Sequence, residues 1–323
     1  MLLELSENQS LVLGSLDRLA VRFEAGPLHD GGYVQFSEAL QSELRKGGFT
    51  DLARFDDCSM LDAALVVERI ARLPFSAEVA ASAIVGPAVT RALGGTLALC
   101  EGLGRPTRFL AQADRVCLRD GNDIYVAEID AGAVEPVSSV LAYPLAKLAR
   151  MPARACRLDP TLAEHVKSLW RLAIAVEAAG LLRGALDRTV AFVKDRQQFQ
   201  QPLGNFQAIQ HRLAASEQIV AATRLLALRA AFTLDPRDTA TAALYAQENM
   251  RSVIYDCHQF HGAMGLTLEY PLHLWTYRLK FLQGELGGRV EQALALSNLA
   301  WWDRPAHLAA ASIEPFDRAM AGA

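Results

Sequence analysis

The sequence predicts a mainly α-helical protein with a small β unit in its middle. Apolar residues recur at helical spacing over residues 1–92, and they do so again from Pro160 onwards. Between these regions, residues 96–156 show strand-like alternation of apolar and polar residues with glycine and proline turns. We therefore divide the chain into an N-terminal helical domain (1–95), a reduced middle β domain (96–156) and a C-terminal helical bundle (157–323).

The composition is that of a globular protein. Of 323 residues, 51% are hydrophobic and 21% charged, which suffices for two or three units with large cores. The formal net charge is −4 and no basic tract stands out, which argues against a nucleic-acid partner. We expect no membrane span and no signal peptide. The five scattered cysteines indicate free thiols in a reducing cytoplasm.

The first two regions each contain one strong local pattern. Within the N-terminal domain, Asp62–Leu73 has an apolar stripe at helical spacing, and Asp62 is expected to cap that helix. Within the β unit, apolar residues alternate with polar ones on both sides of Asp120-Gly121, which predicts a β-hairpin.

The C-terminal region predicts a series of long helices. Leu169–Val193 is expected to be one helix, and Ala208–Phe232 another. The second is apolar on more than one side, which implies burial in a bundle or an interface. Further helices are predicted at Asp238–Phe260, with Asp238 as the cap, and at Leu272–Glu285 and Arg289–Trp301.

The most informative segment is DRTVAFVKDRQQFQQPLGNFQ, residues 187–207. Its first half continues a helix, Pro202 and Gly204 break that helix, and a second helix follows. Arg196 and Gln207 flank the resulting polar corner and could both reach one anionic ligand, since the donor fork of arginine matches phosphate oxygens. Spacing alone leaves an alternative, which is an ordinary turn between helices with solvated polar side chains.

Two blocks of sequence resemble one known family. The order Arg-x-x-Phe-x-x-Pro-Leu-Gly-x-Phe-Gln at Arg196–Gln207 resembles the C-terminal helical domain of the acyl-CoA dehydrogenases. QFHGAMGLTLEYPL at Gln259–Leu272 resembles that family's Gln-x-x-Gly-Gly-x-Gly segment followed by Glu-Tyr-Pro. The resemblance covers about residues 169–287. It implies an N-terminal helical domain, a β domain and a C-terminal four-helix bundle, as in the short, degenerate subunits of heterotetrameric dehydrogenases that act on steroid side chains.

The resemblance implies FAD as the cofactor. In the family, a carboxylate removes a proton α to an acyl-CoA thioester while the flavin accepts the β-hydride. By position, Arg196 should contact the FAD pyrophosphate, Phe199 should pack beside the cofactor, and Gln207 and Gln259 should hydrogen-bond to it. The full set of cofactor-binding residues implied in this way is Arg196, Phe199, Gln207, Gln259, Gly262, Ala263 and Gly265.

The glycines of the second block have an alternative explanation. Gly262 and Gly265 could let the backbone approach a cofactor closely, or they could form a plain helix C-cap. Ala263 stands where the family usually has glycine.

The catalytic base departs from the family pattern. The usual glutamate position falls on Leu286, and Glu285 lies one residue early, a rotation of about 100° on a helix. A second branch of the family would place the base at Trp170, which is followed by Arg171, a candidate substrate-binding residue. Glu177 is a further candidate base because it lies in an apolar run, although a buried ion-pair anchor would look the same in sequence.

Three functional hypotheses follow. The chain is a non-catalytic subunit that completes the FAD site of a longer acyl-CoA dehydrogenase chain in an α2β2 complex, where an acyl-CoA is the substrate. Alternatively, it is a self-sufficient homo-oligomeric dehydrogenase that uses Glu285 or Glu177. In the third hypothesis, it is a structural helical protein that has lost FAD. The helix Ala208–Phe232 is too apolar for a surface helix, and Phe281-Leu282 and Trp301-Trp302 add further bulky apolar groups, which predicts that the chain is not a stable monomer. The sequence names neither the acyl group, nor the electron acceptor, nor the partner.

Overall fold

The computed structural model describes residues 4–24, 32–130 and 132–299. The predicted end of the last helix at Trp301, the Trp301-Trp302 pair and the tail that follows lie outside the described residues. Within these ranges the α-helices are α1 (Glu7–Glu24), α2 (Glu38–Lys46), α3 (Met60–Ala71), α4 (Gly86–Val89), α5 (Pro160–Asp195), α6 (Gln207–Thr233), α7 (Pro236–His261), α8 (His273–Leu282) and α9 (Gly288–Ser297).

The strands lie between the two helical regions, apart from one short hairpin. Short 3-10 turns at Leu203–Asn205, Gly262–Leu266 and Glu285–Gly287 connect the C-terminal helices, and a π-helical turn at Ala81–Val85 precedes α4. The strands are β1 (Leu97–Cys100), β2 (Pro106–Arg108), β3 (Arg115–Asp120), β4 (Asp123–Glu128), β5 (Val134–Val137), β6 (Leu145–Leu148), β7 (Cys156–Arg157), β8 (Gln197–Gln198) and β9 (Gln201–Pro202).

The predicted fold class, mainly helical with a small β unit, is confirmed. The β unit consists of a four-stranded sheet in the order β1-β3-β4-β7 and a three-stranded sheet in the order β2-β6-β5. The predicted hairpin is the antiparallel pair β3–β4, in which Asp120 lies opposite Asp123. The parallel pairing of β1 with β3 and the second sheet had no signal in the sequence pattern. The domain boundaries at residues 95 and 156 stay a prediction.

Two predicted helix caps were wrong by three residues. Helix α3 is capped by Ser59, and Asp62 completes a capping box because its carboxylate accepts the Ser59 backbone N–H at 2.6 Å. Helix α7 is capped by Asp235, which accepts from the Arg237 N–H at 2.7 Å. Asp238 lies within the first turn of α7 and instead accepts a hydrogen bond from the Thr233 hydroxyl.

Helix α5 is the axis of the molecule. It has 36 residues and extends beyond the predicted segment at both ends, with Asp159 as its cap. Its centre touches α3 so closely that a Cβ at Gly180 would overlap the backbone carbonyl oxygen of Glu68. One turn later, Gly184 leaves room for the Trp275 indole, which donates to the Arg72 carbonyl oxygen at 2.8 Å. Glycine therefore fixes how α3, α5 and α8 pack.

The described residues contain no helix that is long and apolar enough to cross a membrane.

Candidate functional site

Glu285 is engaged in a buried ion pair. The Arg108 Nε atom lies 2.9 Å from Glu285 Oε2, and Nη2 lies 3.3 Å from Oε1. The Trp170 indole N–H donates to Glu285 Oε1 at 2.8 Å. Both Arg108 and Glu285 are 4% exposed. The carboxylate that sequence analysis offered as a base is thus held by a cation and an indole donor.

Glu177 belongs to the same cluster. Arg108 Nη1 lies 2.6 Å from Glu177 Oε2, and the Tyr143 hydroxyl donates to Glu177 Oε1 at 2.7 Å. The Arg108 guanidinium also lies 5.4 Å from the centroid of the Tyr143 ring. Glu177 therefore has the ion-pair anchor geometry that the sequence left open. We call Arg108, Tyr143, Trp170, Glu177 and Glu285 the buried charge network.

The buried charge network changes the pKa values of Arg108 and Tyr143. Burial alone would lower the pKa of Arg108, but the carboxylates of Glu177 and Glu285 outweigh it and raise that pKa above its ordinary value. Burial, together with Glu177, raises the pKa of Tyr143, so its hydroxyl stays protonated and donates. Arg108 thus pairs with both carboxyl groups, and each of them also accepts a hydrogen bond from an aromatic side chain.

Arg108 had no signal in the sequence. It ends β2, whereas Glu177 lies at the middle of α5 and Glu285 lies just after α8. Trp170 and Glu177 are seven positions apart on one helix and so share a face. Arg108 meets Glu285 across a separation of 177 residues. No local spacing rule detects such a contact.

A second buried carboxyl lies near the network. Glu78 is 2% exposed and accepts the Ala81 N–H at 2.7 Å and the Ser82 N–H at 3.3 Å, at the start of the π-helical turn. Burial raises the pKa of Glu78 to about 7, and the nearby Glu177 adds to the increase. Glu78 therefore exchanges its proton near neutral pH.

Leu286, where the sequence resemblance predicts the base position, has a side chain that is 1% exposed. Its backbone is left-handed, with φ 53° and ψ 44°, and Gly287 follows with φ 75°. The Leu286 N–H donates to Glu101 Oε1 at 2.5 Å, and the Gly287 N–H donates to Glu101 Oε2 at 3.2 Å. Burial, with repulsion from Glu285, raises the pKa of Glu101. An apolar side chain at this position cannot accept a proton.

Arg171 lies on the other side of the same loop. Its Nε donates to Gln292 Oε1 at 2.8 Å, and Gln292 Nε2 donates to the Leu286 carbonyl oxygen at 2.9 Å. Arg171 is 7% exposed, and burial lowers its pKa. No carboxylate of the described residues lies within salt-bridge distance of it. It lines a separate cavity of about 690 Å³, so its assignment to substrate binding stays a prediction.

The first sequence block forms an exposed hairpin, which with its flanking residues 196–207 we call the motif corner. Strands β8 and β9 pair through a two-residue turn in which Phe199 and Gln200 have φ of 51° and 66°. Two left-handed residues are typical of the tight turn that matches the strand twist. Phe199 is 83% exposed, and its ring lies edge-on to Phe206 at 6.1 Å. The turn therefore displays an aromatic ring to solvent.

The donors of the motif corner fit a diphosphate. Arg196 and Gln207 are exposed, and Arg196 forms no ion pair with any other described residue. Helix α6 begins at Gln207 without a side-chain cap, so its first N–H groups and its dipole are available to an anion. A cation without a partner beside an uncapped helix N-terminus is a suitable donor set for a diphosphate group.

The second block lies against the end of α5. The Phe192 ring stacks on His261 at 4.3 Å and lies edge-on to Tyr270 at 5.3 Å. Phe192 precedes Arg196 by one helical turn, so the two sequence blocks meet in space. Gln259 and Ala263 are exposed.

The two glycines of this block have different functions. Gly262 caps α7 with φ 57°, and a Cβ there would meet nothing within 4 Å. Its left-handed backbone requires glycine, and the surrounding space is open. Gly265 is buried, and a Cβ there would lie 2.7 Å from the His261 Cβ. Gly265 is therefore needed for packing inside the chain, whereas Gly262 combines a helix cap with an accessible backbone.

Comparison with known proteins identifies the C-terminal region. Residues 165–289 match the family model for the acyl-CoA dehydrogenase C-terminal domain. Acyl-CoA dehydrogenase FadE34 of Mycobacterium tuberculosis is 35% identical over 180 residues, which cover 52% of this chain and 25% of that protein. The 3-(aryl)acrylate reductase of Clostridium sporogenes is 30% identical over 138 residues, which cover 41% of this chain and 37% of that protein. The matches thus span well under half the length of these curated relatives.

Solved structures extend the likeness to nearly the whole chain. The ChsE4-ChsE5 complex of Mycobacterium tuberculosis contains a chain with a TM-score of 0.77 and 20% identity, and the match covers 95% of this chain and 100% of that one. The steroid ACAD variant Tcur3481-Tcur3483 gives the same TM-score and identity, with coverage of 95% and 99%. At such identity the likeness establishes the fold. Residues 165–289 therefore match the C-terminal domain of the acyl-CoA dehydrogenases, and the fold of nearly the whole chain is similar to that of the solved structures.

Proposed function

We propose that this chain is a subunit of an FAD-dependent acyl-CoA dehydrogenase, in which it completes the FAD site of a longer partner chain and does not supply the catalytic base. The proposal rests on which residue stands at the expected base position and on what binds its neighbour. Leu286 stands there, and the neighbouring Glu285 is bound by Arg108 and Trp170. A general base needs a free lone pair within reach of the substrate proton.

The geometry disfavours the self-sufficient enzyme. Each of the two candidate bases, Glu285 and Glu177, accepts a hydrogen bond from Arg108 and one from an aromatic side chain. In each case these contacts occupy the carboxylate oxygens that would have to accept the substrate proton. Either residue could act only after the ion pair separates, which costs several kcal/mol in a buried site.

The motif corner supports a role in a neighbouring FAD site. Arg196 and Gln207 face solvent, and a diphosphate would fit Arg196 together with the uncapped start of α6. FAD, when bound, accepts a hydride from the β-carbon of the acyl group. Phe199, which is 83% exposed, would cover part of the cofactor. These residues would hold the cofactor, and the partner would supply the base.

The exposed surface of the C-terminal helices supports the proposal that the chain binds a partner. Several large apolar side chains of the C-terminal helices are exposed, namely Leu225 at 41%, Phe232 at 59%, Tyr255 at 62% and Leu266 at 71%. Tyr255 and Leu266 line one surface cavity together, and contiguous exposed apolar surface marks interfaces. One of the similar solved structures is the ChsE4-ChsE5 complex. We propose an α2β2 complex with a longer acyl-CoA dehydrogenase chain in the cytoplasm, with a bulky acyl-CoA such as a steroid side chain as the substrate.

The first experiment measures cofactor retention. The chain is expressed alone and together with the longer acyl-CoA dehydrogenase chain encoded nearest to it, and bound flavin is counted per complex. We expect flavin only in the co-expressed complex. Flavin and turnover from this chain alone would favour the homo-oligomeric enzyme. Colourless protein under both conditions would favour the structural protein.

The second experiment tests the motif corner. Arg196→Ala should lower FAD affinity in the complex by one to two decades, because a charge-assisted contact contributes about 1.5–3 kcal/mol. Lys194→Ala removes an exposed cation two residues away and serves as the matched control. An unchanged flavin content in Arg196→Ala, or an equal loss in both variants, would contradict the assignment of Arg196.

A further inference from the structure

A surface cavity of about 430 Å³ lies where the end of α3, the second half of α5 and the start of α8 meet. Its wall contains two arginines, Arg72 and Arg188, and one carboxylate, that of Asp187. The Asp187 carboxylate lies 2.8 Å from Arg183 Nη2, so a third arginine already neutralises it. The cavity therefore presents an excess of positive charge to whatever enters it.

The guanidinium of Arg188 has no acceptor inside the described part of the chain. No carboxylate of these residues lies within salt-bridge distance of it, and no oxygen atom accepts a hydrogen bond from it. Its Nε atom is buried without a partner, and its two Nη atoms, which are not buried, have none either. The Nη groups can therefore donate charge-assisted hydrogen bonds to an anion in the cavity.

Two aromatic rings fix the position of Arg188. Its guanidinium carbon lies 6.0 Å from the centre of the Trp275 ring and 5.9 Å from that of Tyr270. Such contacts hold a guanidinium without using its N–H donors. Trp275 is fixed in turn, because its indole N–H donates to the Arg72 carbonyl oxygen at 2.8 Å. Arg188 is thus positioned in advance, which reduces the side-chain entropy lost when a ligand binds.

Arg72 brings a second cation to the same place. Gly184 lies one helical turn before Arg188 on the same face of α5, and a Cβ on it would lie 3.0 Å from the Arg72 carbonyl oxygen. The Arg72 side chain pairs with Glu68, but that carboxylate also accepts from Arg224 Nε at 3.0 Å. Arg72 is therefore only partly neutralised. Two guanidinium groups at one cavity favour a dianion, since each of them can bind its oxygens.

The size of the cavity indicates more than a free ion. Sites for small organic molecules begin at about 300 Å³. Pro74 and Ala191 give this cavity an apolar wall beside the two arginines. A phosphate group with a small apolar body would use both parts of the site.

We propose that the cavity between Arg72 and Arg188 binds a phosphate group, carried by a small organic molecule. The site is separate from the motif corner. Arg196 follows Arg188 by eight residues, which places it about 12 Å further along α5 and about 80° around the helix axis. The proposal does not depend on the proposed function, since neither FAD nor a partner chain enters it.

Titration calorimetry of the full chain with phenyl phosphate tests the site. At pH 8 the phosphate is a dianion, and we expect saturable binding with a Kd of about 1 mM or lower. Arg188→Met should raise that Kd by about tenfold or more, because it removes the donors without a partner. Arg150→Met is the matched control, since Arg150 is an exposed cation of the β unit without an ion pair to any described residue. It should bind like wild type.

Two further ligands define the chemistry. Benzoate has the same ring but a single charge, so it should bind about tenfold more weakly than phenyl phosphate. Equal affinity for benzoate would overturn the assignment to a phosphate. Inorganic phosphate distinguishes the source of the group: weaker binding than phenyl phosphate supports an ester that uses the apolar wall, and equal binding identifies the free ion as the ligand.

Chemical modification locates the site without a variant, which matters if Arg188→Met folds poorly. Phenylglyoxal labels accessible arginines, and mass spectrometry maps them. Phenyl phosphate should protect Arg188 and leave Arg150 reactive. Absence of saturable binding, an equal Kd for wild type and Arg188→Met, or equal protection of both arginines would overturn the proposal.

Discussion

The buried charge network includes two residues of α5, the motif corner begins where α5 ends, and the two regions use charge in opposite ways. Arg108 is 4% exposed and donates to two carboxylates inside the chain. Arg196 faces solvent and forms no ion pair with any other described residue. The difference shows where binding free energy is available. Donors of the network are used within the chain, whereas donors of the corner are free for a ligand.

The largest expected effect comes from breaking the buried charge network. Arg108→Met should lower the free energy of unfolding by about 3–5 kcal/mol, because it leaves Glu177 and Glu285 as buried charges without a counter-ion. Arg289→Met is the matched control, since its pair with Glu248 is exposed and contributes less than about 1 kcal/mol. Urea denaturation of both variants measures the difference. A loss under 1 kcal/mol for Arg108→Met would contradict the buried pairing of Arg108 with Glu177 and Glu285.

The next prediction concerns Glu78, the buried carboxyl near the network, whose contribution to the free energy of unfolding depends on pH. With a pKa of about 7 in the native state against 4.5 in the unfolded chain, Glu78 binds more protons when folded. Its contribution is therefore present at acid pH and is lost as pH rises through about 7, a loss of about 2–3 kcal/mol between pH 5 and pH 8.

Glu78→Gln checks this prediction, since its side chain cannot ionise. The variant should gain stability relative to wild type by that amount between pH 5 and pH 8, as measured by urea denaturation at both values. Parallel pH profiles for the two proteins would contradict it.

A smaller effect is expected at Gly180 in α5, the helix that connects the two regions. Gly180→Ala inserts a Cβ against the Glu68 carbonyl oxygen, so α3 and α5 must separate, at about 1–3 kcal/mol. Gly14→Ala in α1 is the matched control, because a Cβ there meets only the end of Arg18 at 3.8 Å and should be neutral or slightly stabilising. If α5 positions both regions, Gly180→Ala should also weaken FAD retention. A loss of stability with unchanged FAD retention would show that the packing of α5 at Gly180 does not position the motif corner.

The smallest expected effect concerns turnover. Glu285→Gln in the assembled complex should leave turnover within about twofold of wild type, since the partner is proposed to carry the base. Removing a true general base typically costs a factor of about 100 or more. Steady-state kinetics at saturating acyl-CoA, normalised to bound flavin, make the comparison. A collapse with FAD still bound would reinstate Glu285 as the base.

Local sequence patterns predicted the helices and the hairpin, but they gave no signal for contacts between residues far apart in the sequence. The long helix α5, the β3–β4 hairpin and the helix–corner–helix order at Arg196 each follow from periodicity or turn residues within one short segment. The caps of α3 and α7 were misplaced because several acidic and hydroxyl residues near each start can accept the same N–H groups.

The site was only partly predictable for the same reason. Glu177 stood out as a carboxylate in an apolar run and Glu285 as the neighbour of the expected base position, but their shared partner Arg108 lies in a strand with no unusual feature. Glu101 was equally hidden, because its partners are backbone N–H groups that carry no sequence signal. A buried carboxylate in a sequence indicates that a counter-ion exists, and only the fold identifies it.

The unbroken length of α5 limits how this protein can change in evolution. At 1.5 Å per residue, Glu177 and Arg196 lie about 28 Å apart along one rigid rod. One inserted residue between them would turn the motif corner by about 100° about the helix axis and direct its donors toward the bundle interior. Seven inserted residues would nearly restore the direction but would shift the corner outward by about 10 Å. Insertions and deletions that preserve function should therefore fall in the loops, and the spacing between these two regions should stay constant in residue number.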